Sequence, residues 1–129
     1  MTNIEQILLL ESKLAELFWR ISIKLNGTYK SVQLMRDDNF VHRRDRTSND
    51  IHAFFELRNR EYFHLRGYTR HMLEHPQLSA KKVFLTGYRK NDIELVGGIH
   101  SLEQKWYELN PSIIANQIRE QNLNLFQKN

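Results

Sequence analysis

The residues best suited to chemistry lie between Ile51 and His75, a stretch holding four of the chain's six histidines and four arginines. Arg58 is followed directly by Asn59, and His64 stands six positions after Arg58. These side chains suit attack by a ribose 2′-hydroxyl on a neighbouring phosphate. That reaction needs a proton acceptor near neutral pH and a fixed cation beside the developing phosphorane. Histidine titrates in that range, and arginine contacts phosphate in a bidentate manner without losing its proton.

Arg58-Asn59, four intervening residues and His64 resembles the arginine, polar residue and histidine motif of HEPN domains. The resemblance implies a small helical, dimeric, metal-independent ribonuclease of toxin–antitoxin or phage-defence type, with the motifs of two protomers meeting in one cleft. Carried over, His64 is the general acid and base, Arg58 stabilises charge on the scissile phosphate, and Asn59 positions both. On an ideal helix a six-residue separation leaves the two groups roughly 120° apart around the axis. Long side chains converging across a cleft, a helix distorted near the motif, or a second protomer would bring them together, and the favoured expectation is a two-fold axis beside that helix pairing Arg58 with the partner's His64.

Other readings compete for the same stretch. His71 and His75 stand one helical turn apart and could chelate a metal through two imidazoles. Met72 occupies the position where a zinc protease needs glutamate, so that motif is excluded, and neither metal nor cofactor is expected. Tyr62, Phe63, Tyr68 and Trp106 interleave with Arg58, Arg60, Arg66 and Arg70. Aromatic rings and cations together suit single-stranded nucleic acid. The basic run Arg43, Arg44 and Arg46 adds candidate phosphate contacts. A non-catalytic helical interaction module, such as an antitoxin, immunity protein or phage-encoded inhibitor, is the alternative to the enzyme and implies a protein partner.

The elements that position these residues read as mainly α, a small helical bundle with a long irregular loop. Thr2 and Glu5 form a capping box. Ile4, Ile7, Leu8, Leu14, Phe18, Ile21 and Leu25 recur at helical spacing up to the Asn26-Gly27 stop. Leu10, Leu17 and Ile23 widen the stripe, which implies more than one packing neighbour. Helices are expected near residues 3–25, 50–75, 101–109 and 112–125. The first two should pack through Phe18, Ile21, Phe54 and Phe55. Residues 27–47 read as loop with one short element near Val32–Met35, and Ser79–Gly87 stays open between a capped helix and a strand of a small hairpin.

Length and composition bound the rest. A chain of 129 residues is one domain on size. It has no cysteine, so neither a disulfide nor a thiolate metal site is available. The N-terminus lacks a basic leader, and no apolar run approaches the roughly 18 residues of a membrane span. A cytoplasmic protein away from membranes is the expectation. The net charge of +4 is compatible with RNA as partner.

Overall fold

The structure, a computed structural model, describes residues 2–25, 29, 31–36, 50–57, 61–91 and 99–121. The elements run α1 (Asn3–Lys24), β1 (Ser31–Arg36), β2 (Ile51–Glu56), β3 (Glu61–Gly67), α2 (Thr69–Glu74), α3 (Pro76–Ser79), β4 (Lys82–Asn91), β5 (Ile99–Glu108) and α4 (Pro111–Gln121). The five strands form one antiparallel sheet in the order β1-β2-β3-β4-β5. The fold is therefore α+β, which corrects the mainly α bundle expected from spacing.

Two expected helices are strands. The stretch 50–75 is β2, β3 and the short α2, and 101–109 is largely β5. The reason is a period of two hidden beneath apolar residues of both parities. Ile51, Ala53, Phe55, Leu57, Phe63 and Leu65 are buried in the core. The residues between them include His52, Phe54, Tyr62 and His64, which are also bulky. A strand covered on both sides reads as an unbroken run, and a 3.6-residue template fits such a run equally well. In β5 a register shift near Gly87 breaks the alternation, so Leu102 and Tyr107 are both buried although five residues apart.

The two long helices do form. Thr2 Oγ1 accepts from the Glu5 amide at 3.2 Å and opens α1. Asn110 Oδ1 accepts from the Ser112 and Ile113 amides at 3.0 and 3.1 Å, with Pro111 in the first turn of α4. The stop at Asn26-Gly27 and the apolar Leu125 lie outside the described residues. The short element near Val32–Met35 is β1, and the ambiguous Ser79–Gly87 resolves as the end of α3 followed by β4. β4 pairs with β5 as a hairpin.

Helices α1 and α4 pack on each other and supply Leu14, Leu17, Phe18, Ile21, Ile114, Ala115 and Ile118 to one core. The sheet answers with Phe55, Phe63, Leu65, Val83, Leu85, Leu102 and Tyr107. Each fully buried large side chain stabilises the fold by about 1.5–3 kcal/mol. Of the expected contacts between the first two segments, Phe18, Ile21 and Phe55 belong to this core, whereas Phe54 lies on the opposite face of β2. Helix α1 approaches the sheet closely at Gly67, where a Cβ would stand 2.7 Å and 2.8 Å from the two Leu14 methyl carbons.

Candidate nucleic-acid interface

Alternation along the strands fixes what the second face of the sheet carries. Pairing of His52 with Arg66, Phe54 with His64, His64 with Tyr88, Arg66 with Thr86, and Phe84 with Trp106 puts these residues on the second side of the sheet, where Phe84 and Trp106 still pack in part against the core cluster. Among the described residues, α1 and α4 cover only the core side, while α2 closes one end of the sheet.

At the centre of this face is a buried imidazole pair. His52 Nδ1 and His64 Nε2 lie 2.6 Å apart, and the residues are 3% and 2% exposed. One nitrogen must donate and the other accept, so the pair fixes complementary tautomers. Phe54 stacks on His64 at 4.2 Å between centroids, and Tyr88 meets the same ring at 4.6 Å. Beside them Arg66 Nε and Nη2 both donate to Asp50 Oδ2, at 2.8 and 2.6 Å. The Asp50 carboxylate is buried, and the guanidinium lies 4.5 Å from the Tyr68 ring centre.

A second, half-buried cluster extends the row toward α2. His71 packs on Phe84 at 4.0 Å, on His75 at 4.5 Å and on Trp106 at 5.6 Å. Phe84 also meets Trp106 at 5.3 Å and Tyr68 at 5.5 Å in edge-on geometry. His75 Nδ1–H donates to the His71 carbonyl oxygen at 2.9 Å. Because a carbonyl can only accept, this contact fixes the proton on Nδ1. Among the described residues no group of three or more histidines and carboxylates is placed to hold a metal ion.

Of the expected site residues, His64, Arg66 and Arg70 lie among the described residues. His64 lies on β3 rather than on a helix. Arg43, Arg44, Arg46, Arg58, Asn59 and Arg60 lie outside the described residues. Arg66 is committed to Asp50, and Arg70 is exposed on α2. Of the interleaved aromatics, Tyr68 and Trp106 join the half-buried cluster, Tyr62 is half-buried near the start of β3, and Phe63 belongs to the core. Sequence reasoning missed His52, Phe54, Phe84, Tyr88 and Asp50. The signal for the first pair was present: His52 and Phe54 alternate along β2 as His64 and Arg66 alternate along β3.

No family model, curated protein or solved structure matches the chain. The chemistry of the face is therefore the ground for assigning a role. Among the described residues no helix is long and apolar enough to cross a membrane.

Proposed function

We propose that this protein binds single-stranded RNA on the second face of its sheet, with bases stacking on the cluster of Tyr68, His71, Phe84 and Trp106. The observation that carries the reading is the continuous, half-buried contact among these rings, with Arg66 over Tyr68 and Arg70 exposed on the neighbouring helix α2. Base–aromatic stacking contributes about 1–3 kcal/mol per base and tolerates any sequence. The net charge of +4 supports phosphate attraction, and a cytoplasmic location accords with that ligand and with a chain free of cysteine.

Cleavage of the bound strand by Arg58, Asn59 and His64 is an extension of this proposal, and binding is the part the geometry favours. A general base must come within hydrogen-bond reach of the proton it takes. His64 is buried, and its Nε2 is engaged by His52.

The test is fluorescence anisotropy of labelled single-stranded RNA with EDTA present. Binding should weaken as salt rises, and Trp106→Ala should weaken it about tenfold, consistent with one lost stacking partner. Trp106→Phe should retain most of the affinity. Equal affinity of wild type and Trp106→Ala at low salt, with both folded by circular dichroism, overturns the assignment. Integrity of the RNA in the same tubes reports on the extension: cleavage by wild type that is lost in His64→Ala adds the enzyme to the binder.

A further inference from the structure

Helix α1 carries two apolar faces. One is the core face through Leu14, Phe18 and Ile21. The other faces solvent: Ile4 is 71%, Leu8 48%, Trp19 54% and Ile23 58% exposed. With Ser12 and Ala15 between them, these residues fall within about 100° of arc on the helix surface. A run of large exposed apolar side chains along one helix marks an interaction surface rather than scattered surface hydrophobics.

The order of residues in this stripe identifies its partner. Read from either end, it runs large, large, small, small, large, large. Placed antiparallel on a second copy of itself, Ile4 meets the partner's Ile23, Leu8 meets the partner's Trp19, and Ser12 meets the partner's Ala15. A two-fold interface requires this self-complementarity, because one patch must fit itself after rotation. The small residues fall at the centre, where crossing helices approach to about 8–10 Å.

Charge agrees with the same orientation. Glu5 lies in the first turn and Arg20 near the last turn, both on the solvent-side margin of the stripe. Antiparallel pairing sets Glu5 beside the partner's Arg20, where its carboxylate joins the existing Arg20–Glu16 ion pair of 2.7 Å. Opposed helix dipoles are favourable in this arrangement too. Leu8 and Ala15 also line a groove with Leu34 and Arg36 of β1, an edge strand, so the surface continues beyond the helix.

We infer that the protein forms a two-fold dimer with a second copy of its own chain through the Ile4–Ile23 stripe of α1. Sedimentation of the full chain over a concentration series should show a monomer–dimer equilibrium. Trp19→Glu should weaken the dimer about tenfold or more, as expected for an aromatic anchor at an interface. Circular dichroism and melting of the monomer should not change, because Trp19 is exposed. Glu5→Lys should weaken the dimer, and adding Arg20→Glu should restore it. The chain has no cysteine, so a mixture of Leu8→Cys and Trp19→Cys proteins should oxidise to a disulfide-linked heterodimer. A wild type that stays monomeric throughout, or a dimer that persists unchanged in Trp19→Glu, overturns the inference.

Discussion

His52 Nδ1 and His64 Nε2 lie 2.6 Å apart on neighbouring strands, and both residues are all but sealed from solvent. Removing one partner of such a pair leaves a buried polar group unsatisfied, which costs about 1–3 kcal/mol. Replacing both with apolar residues removes the demand together with the bond. His52→Leu and His64→Leu should therefore each lower stability by about 1–3 kcal/mol, while the double variant loses less than their sum. Urea unfolding of the four proteins measures this coupling. Strict additivity would show that the close contact carries no energy.

Gly67 on β3 and Leu14 on α1 meet closely between sheet and helix. A Cβ at position 67 would stand 2.7 Å from one Leu14 methyl carbon, so the fully buried Leu14 side chain has to shift to admit it. Gly67→Ala should destabilise by about 1–3 kcal/mol, the usual range for overpacking. Adding Leu14→Ala to this variant should cost less than the same change in wild type. A thermal melt of the cycle checks both statements, and an unshifted melt for Gly67→Ala would mean that α1 does not bear on this strand.

The helices were legible in the sequence because their signals are local. Thr2 and Asn110 cap where expected, and Leu14, Phe18, Ile21, Ile114 and Ile118 repeat at helical spacing. The sheet was not legible because its signals are either non-local or masked. Pairing of β2 with β3 is a property of two strands together rather than of either alone, and His52, Phe54 and His64 fill the positions that would read as polar in a one-sided strand. At β5 the register shift puts Leu102 and Tyr107 into one core and leaves Trp106 to mimic a helical stripe. Of the site, His64 and Arg66 were visible as residue types. Their partners His52 and Asp50 stand well apart from them in sequence, and only the antiparallel fold unites them.

Arg66 was expected to contact RNA, yet its guanidinium satisfies a carboxylate that is far more buried than itself, with side chains 26% and 3% exposed. Removing the cation strands the Asp50 charge inside the protein. Loss of one partner of a buried pair costs about 3–5 kcal/mol, and the partial exposure of Arg66 brings the expected loss down to or below the low end of that range. Arg66→Ala should thus lower stability by roughly 2–3 kcal/mol, and Arg66→Ala with Asp50→Asn should recover part of it. Denaturant midpoints decide the matter. An Arg66→Ala protein of wild-type stability with weakened RNA binding would return this arginine to the nucleic-acid surface.

Tyr107 gives the fold a limit on the alkaline side. Burial against the core, with the nearby Glu103 carboxylate as the lesser cause, pushes its phenol up to about 12 from the ordinary 10.0. Its hydroxyl also donates to the Glu103 carbonyl oxygen at 2.6 Å. The folded state thus holds the proton more tightly than the unfolded chain does. Between pH 10 and about 12 the unfolded chain releases that proton while the folded protein retains it, so unfolding becomes progressively easier. The stabilising contribution is complete below pH 10 and is lost as pH rises through the folded value. Denaturant midpoints across this range should fall faster for wild type than for Tyr107→Phe, which has no proton to lose. The tyrosinate absorbance of the native protein should include one phenol that ionises only at the upper end of the window. Parallel midpoints for the two proteins would show that this hydroxyl is as easily ionised in the fold as outside it.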